Sequence, residues 1–254
     1  MLHLADNRRP AAPRAGYPIE AVERSLAMLR LLARRETPTS LPDAAAALGT
    51  TRSTAFRLLW NLEQAGFVRR GDNGGYALGH AVLDLAAAYH AQNPVERVAR
   101  THIDQLRDET GETCCLLLRE GAERVCVYTA ESREKVRRMM PLGTLGPLWR
   151  GAAGRILFAF LDPATRAAIV EGQPDTAALE GDAAAVREAG VAVSVRDTAP
   201  DVWSVAAPIR GHAGEVVASI ACTAPMQRST SAHMRRCQAL TVEAAAAISA
   251  ALGA

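Results

Sequence analysis

Residues 40–79 read SLPDAAAALGTTRSTAFRLLWNLEQAGFVRRGDNGGYALG, and the order of signals in this stretch decides the fold of the first third of the chain. Ser40 offers an N-cap oxygen with Asp43 three positions on, so a short helix is expected over 41–48. Gly49 stops it, because a left-handed C-cap costs glycine least. Thr50 or Thr51 caps a further helix, about 52–65, in which Ala55, Leu58, Leu59 and Leu62 follow the i, i+3, i+4, i+7 spacing of one buried face. The other side carries Ser53, Thr54, Arg57 and Asn61, side chains that hydrogen-bond base edges and phosphates. Gly66 closes the helix. Phe67-Val68-Arg69-Arg70 then opens a strand, Gly71-Asp72-Asn73-Gly74-Gly75 turns it, and Tyr76-Ala77-Leu78 returns. Helix, tight turn, helix and basic hairpin together describe a winged helix-turn-helix, whose second helix lies in the major groove of DNA. Arg57 is the expected bidentate guanine reader. Thr51, Arg52, Ser53 and Thr54 are expected to mix phosphate and base contacts with Asn61, and Arg69 and Arg70 to meet the backbone or minor groove from the wing.

A helix ahead of this stretch is expected from Ile19 to Arg34, with Ile19, Val22, Leu26, Leu29 and Leu32 as its apolar stripe and Thr37-Pro38 beyond its end. Charge is divided in a matching way. Residues 1–80 hold 11 arginines against 7 acidic residues, and the remainder holds 18 Lys+Arg against 20 acidic residues. A basic front and a slightly acidic back fit a DNA-binding module joined to a domain that leaves DNA alone. No apolar run reaches the roughly 18 residues of a membrane span. The opening MLHLADNRRPAAPRAGYP reads as a flexible arm of a cytoplasmic protein, with no membrane partner. Five cysteines form no C-x-x-C pair and are expected as reduced core thiols.

Beyond Gly79 the pattern changes. His80 to Gln92 reads as an alanine-rich linker helix ending before Asn93-Pro94. Helices are expected over 94–110, from Gly151 to about Leu161, after Asp162-Pro163, over 182–189 and over 232–252. Strands are expected over 113–118, 124–129, 191–195, 202–208 and 216–223. Strands joined by hairpins, with helices grouped between them, indicate an α+β domain on an antiparallel sheet.

Several separated motifs resemble the IclR family of bacterial transcription regulators: VERSLAMLRLLA, then the stretch quoted above through YALG, then LGPLWRGAAGRILFAFL, then SVAAPI followed by GEVVASIACTAP. The resemblance covers residues 19–250. Beyond the arm read over 1–18, it implies a winged helix-turn-helix domain over 19–79, a linker helix over 80–93 and a GAF-like sensor domain of about six strands over 94–254. It also implies a homodimer or homotetramer on double-stranded operator DNA, responding to a small-molecule effector without any cofactor. Carried over by position, the effector pocket is expected to involve Trp149, Ala152, Ala153, Ser194, Ser204, Ala221 and Thr223. Amides at a helix start bind anions and hydroxyls fix orientation. The chain departs from the family pattern at Trp149 (commonly histidine), Arg155 (lysine), Asp197 (glutamate) and Asp201 (glycine). Trp149 and Arg155 are expected near the pocket mouth, so effector identity does not carry over from relatives.

The expected function is a transcriptional regulator, a repressor rather than an activator of a catabolic or metabolic operon, sensing a small carboxylic or aromatic acid or an amide. Two alternatives belong to other classes: an enzyme using Cys222 with His212 as base, and a winged-helix adaptor that binds protein. No G-x-S-x-G elbow, H-E-x-x-H or phosphate-cradling glycine loop accompanies Cys222. No catalytic residue is therefore assigned. His233 and Cys237, at i and i+4, make two ligands and not a closed metal site, so no metal is expected.

Overall fold

The computed structural model describes residues 18–254, and the arm expected over 1–18 lies outside them but for its last residue. The chain divides into two compact units that meet between Gln92 and Asn93.

In the first unit, α1 (Glu20–Ala33), α2 (Leu41–Ala47) and α3 (Arg52–Gln64) surround a core of Met28, Leu32, Ala44, Ala45, Ala55, Leu59, Val68 and Tyr76. The caps are those the sequence offers. Ser40 Oγ accepts from Asp43 N at 3.3 Å and Thr51 Oγ1 from Thr54 N at 3.2 Å, satisfying helix donors that otherwise lack partners. Gly49 takes φ +60° between the two helices, a conformation with little penalty for glycine. The wing is β1 (Val68–Arg70) against β2 (Tyr76–Leu78), antiparallel with Arg70 opposite Tyr76. Thr39 exchanges backbone hydrogen bonds with Tyr76 at 2.8 Å each way, which fastens the wing to the α1–α2 connection. Helix α4 (Ala81–Ala91) completes this unit and buries none of its side chains.

The expected stripe on α1 is only half right. Leu32 is buried and Leu29 packs against the core, but Ile19, Val22 and Leu26 are each more than half exposed, and Met28 enters the core instead. Helical spacing sets which residues share a face, not which face a neighbour covers. Near the start of α1 it is Glu20, Ala21 and Arg24 that lie against α3, one turn before Met28, and Ile19, Val22 and Leu26 fall to the side of that contact.

The second unit is a six-stranded antiparallel sheet in the order β5-β4-β3-β8-β7-β6. Its strands are β3 (Thr113–Glu120), β4 (Glu123–Ala130), β5 (Leu145–Pro147), β6 (Ala192–Val195), β7 (Val202–Arg210) and β8 (Val216–Pro225). Helices α5 (Pro94–Thr110) and α9 (Ser231–Ala251) cover one face; α6 (Gly151–Ala159) covers the other, backed by α8 (Thr176–Ala189), while α7 (Pro163–Val170) lies between these two in sequence. Strand alternation sorts residues by size. Trp203, Val205, Ile209 and Ile220 join the α5/α9 core, whereas the neighbouring Ala206 and Ala221 join the α6 side.

Two elements depart from expectation. Strand β5 lies ahead of the helix expected from Gly151, where no element is expected, because three residues containing glycine and proline carry no strand signal. Helix α8 begins at Thr176 and not at 182; Gly181 in its interior weakens the helical pattern there. The fold makes one stability prediction. Met28→Ala empties a fully buried position and is expected to cost about 2–5 kcal/mol, read as a lowered midpoint of the first unit's transition in urea.

Candidate functional site

Burial of Ala55, Leu58 and Leu59 fixes the roll of α3 and so decides which side chains it displays. Arg52, Ser53, Arg57 and Asn61 are exposed, with Thr54 half-buried. Arg52, Arg57 and Arg69 pair with no carboxylate among the described residues, and Arg70 lies 5.7 Å over the Tyr76 ring. Two of the expected contact groups are partly committed. Thr51 spends its oxygen on the cap and lies 3.0 Å from the Thr54 hydroxyl, and Asn61 Nδ2 donates to Arg57 O at 2.7 Å. Phe56 and Trp60 also stand on this side, 46% and 49% exposed. Sequence reasoning passed over both; the signal was present, since neither falls on the 55–58–59–62 face.

In the second unit a cavity of about 260 Å³ opens between the sheet and the start of α6. It exists because the strands put small side chains on that face: Ser204, Ala221 and Thr223 leave space that the large residues of the opposite face would fill. Cys115 and Leu117 of β3, Met140, and Ala152 and Ala153 at the α6 start form further walls. Arg124, Arg138 and Arg150 also line it. Arg124 Nη1 donates to Pro147 O at 2.6 Å, its guanidinium packed where a Cβ on Gly146 would collide with it. Burial pulls the Arg124 pKa below the usual guanidinium range.

The start of α6 is held by Asp197. Its Oδ2 accepts from Gly151 N at 2.6 Å and its Oδ1 lies 3.2 Å from Arg150 Nε. Burial works against ionising this carboxyl, but the Gly151 amide and the Arg150 guanidinium outweigh it and hold the pKa below the usual carboxylate value.

Two family models match these two units. The IclR helix-turn-helix domain matches residues 21–72, and the bacterial transcriptional regulator IclR C-terminal domain matches residues 87–250. The chain belongs to the IclR family. It is 31% identical over 222 residues to the glycerol operon regulatory protein of Streptomyces griseus, covering 83% of this chain and 86% of that one. It is 30% identical over 254 residues to the HTH-type transcriptional repressor AllR of Salmonella paratyphi A, covering 96% and 93%. Among solved structures, a putative transcriptional regulator from Rhodococcus superposes with a TM-score of 0.80 at 26% identity, over 92% of this chain and 98% of that one. The protein is thus a transcriptional regulator of IclR type, and no helix among the described residues is long and apolar enough to cross a membrane.

Set against this IclR-family frame, five of the seven expected pocket residues line the cavity: Ala152, Ala153, Ser204, Ala221 and Thr223. Trp149 and Ser194 do not. Trp149 packs into the hydrophobic cluster beneath α6, and the Ser194 hydroxyl is turned to Asp197 Oδ2 at 3.4 Å. Arg155 is away from the cavity too; it forks onto Asp182 and donates to Val193 O at 2.6 Å, tying α6 to α8 and β6. The missed lining residues, Arg124 and Arg138 above all, come from β4 and the 131–144 connection, where an arginine in a strand or loop reads as surface.

Cys222 and His212, the pair named for the enzyme alternative, are not brought together. Cys222 is buried on the α5/α9 face, and the Cys114 thiol and burial push its own thiol well above the ordinary value. His212 is exposed in the β7–β8 hairpin, six strand residues and roughly 20 Å before Cys222. His233 Nε2 does lie 3.6 Å from Cys237 Sγ, but the same nitrogen faces Glu112 Oε1 at 3.1 Å. Glu112 also pairs with Arg228 at 2.5 Å, so the group ties α9 to the start of β3.

Asp197→Ala is expected to destabilise the second unit by about 1–2 kcal/mol, as loss of a helix cap does. The folded pKa of Asp197 is depressed, so this contribution is complete above the ordinary value of 3.8 and is lost as pH falls through the lower folded value. Thermal melts of wild type and variant should therefore differ at neutral pH and converge below pH 3.8; a gap that widens in acid would contradict the assignment.

Proposed function

We propose that the protein is a repressor that binds a pseudo-palindromic operator as a homodimer or homotetramer and releases it in response to a small acid or amide held in the second unit. The observation that carries this is the exposed face of α3. Arg52, Ser53 and Arg57 stand on a capped helix with no acidic partner among the described residues, and Arg69 and Arg70 sit on an adjoining wing. An unneutralised basic face on a rigid element suits phosphate and base-edge contact. Phe56 and Trp60 add apolar surface of the kind that thymine methyl groups accept. Half-sites about 34 Å apart suit a symmetric dimer.

The cavity supports the regulatory half. Its walls combine apolar side chains with a few polar groups at a helix start, the usual make-up of a small-molecule site. A ligand there changes DNA affinity by its differential affinity for the DNA-competent and DNA-incompetent arrangements of the protein, and by no more than that.

The test is fluorescence anisotropy with duplex fragments from the DNA flanking the protein's own gene. Arg57→Ala is expected to cost about 1–3 kcal/mol on the specific site and to relax preference at one base position. Arg70→Ala is expected to weaken all sequences alike and to reduce the salt slope by about 1. Full specificity in Arg57→Ala would remove that residue from its role. Absence of binding to every duplex, with steep salt dependence nowhere seen, would favour the adaptor reading.

A further inference from the structure

We infer that the ligand of the second-unit cavity is a small dicarboxylate, its two acid groups held at opposite ends by Arg124 and Arg138. The inference rests on the reading of this cavity as the effector site and narrows its chemistry from acids and amides at large to dianions with separated charges.

Charge accounting leads there. Three arginines line the cavity and no aspartate or glutamate does. Arg150 is matched by Asp197 at 3.2 Å. Arg124 and Arg138 pair with no carboxylate within 4 Å among the described residues. Arg124 has one donor on Pro147 O at 2.6 Å. The Nε of Arg138 is buried without a hydrogen-bond partner. Leaving that one buried donor unmatched is costly. Asp197 reaches Arg124 only beyond ion-pair distance, and two cations without a paired carboxylate in one partly enclosed site suit a ligand with two negative charges.

Spacing decides how those charges are arranged. Arg124 faces Arg119 across the β3–β4 ladder and packs beside Gly146 and Gly151 at the α6 start. Arg138 enters from the other end, its carbonyl accepting from Thr113 Oγ1 at 2.6 Å. Thr113 and Arg119 lie six residues apart on β3, roughly 20 Å along the strand. Two cations that enter one cavity from backbone anchors this far apart suit acid groups on separate carbons better than one compact phosphate. Between them Leu117, Met140 and Ala221 supply apolar wall for a short spacer. A volume of about 260 Å³ lies just under the range of drug-sized sites, which limits the spacer to a few carbons or one ring.

Titration calorimetry on the full chain tests this with succinate, glutarate and phthalate as dicarboxylates. Butyrate and benzoate serve as single acids, succinamide as a neutral analogue and inorganic phosphate as a compact anion. At least one dicarboxylate is expected to bind tenfold or more tighter than every other class. Arg124→Gln and Arg138→Gln, each checked by melting to be folded, are expected to remove most of that margin, bringing dicarboxylate affinity down toward that of the single acids. The proposal is overturned if single acids, succinamide or phosphate bind as tightly as the best dicarboxylate. It is equally overturned if no dicarboxylate binds, or if both arginine variants bind dicarboxylates like wild type. Ser204→Trp, which fills the cavity, separates this from failure of the effector reading. A single acid or amide that releases DNA from wild type but not from Ser204→Trp sinks the dicarboxylate and keeps the effector site. Release that persists in Ser204→Trp sinks both.

Discussion

The alternation of large and small side chains on β7 and β8 is the constraint on which the second unit depends. A strand sends successive side chains to opposite faces, and beside the cavity the two sets differ in bulk, although Ala207, Ala218 and Ala224 share the large-residue face. Trp203, Val205, Ile209, Ile220 and Cys222 on one face pack against α5 and α9 with essentially no exposed surface. Ser204, Ala206, Ala221 and Thr223 on the other face reach less far. Helix α6 must then either drop onto the sheet or leave a gap. Asp197 holds its first turn through Gly151 N, and Arg155 holds it through Asp182 and Val193 O. The helix is pinned from the side, and the gap persists as a cavity.

The first unit follows the same logic on a smaller scale. Helix α3 carries no acidic residue in its first turn, and its dipole leaves partial positive charge there. Thr51 caps that end with a neutral oxygen, so the positive potential is not cancelled. Arg52 beside it adds to the same sign. The rotational setting of the helix comes from Ala55 and Leu59 in the core, the polarity of its tip from the choice of cap.

Most of this architecture was legible because local chemistry and tertiary packing agree. Ser40, Gly49, Thr51, Asn93 and Asp162 act at helix ends as their side chains suggest. Where the reading failed, the deciding factor was not local. Ile19, Val22 and Leu26 keep helical spacing, yet α3 lies against the Glu20, Ala21 and Arg24 side of that helix instead. Strand β5 exists because Val125 and Glu123 offer an edge to pair with, and no propensity of Leu-Gly-Pro announces it. Trp149 and Ser194 are close in sequence to true cavity positions, but one side chain turns beneath α6 and the other to Asp197. Proximity along the chain placed them; direction excluded them.

Arg124 and Arg138 belong to a different kind of failure. A sequence consistent at every level places charge outside, and the positions that break the rule concentrate at functional sites. Nothing in ERVCVYTA or REKVRRMM distinguishes a cavity arginine from a solvated one. The difference appears only when β4 and the 131–144 connection are folded around α6 and the carboxylates are found elsewhere: Asp197 on Arg150, Asp182 on Arg155, Glu131 on Arg137. With those acids committed, Arg124 and Arg138 have no carboxylate at ion-pair distance among the described residues, and burial lowers the Arg124 pKa against the longer-range pull of Asp197. A group that costs stability without ligand and repays it with ligand makes binding and conformation interdependent. On the proposed reading, an anion held by these two arginines would supply that interdependence.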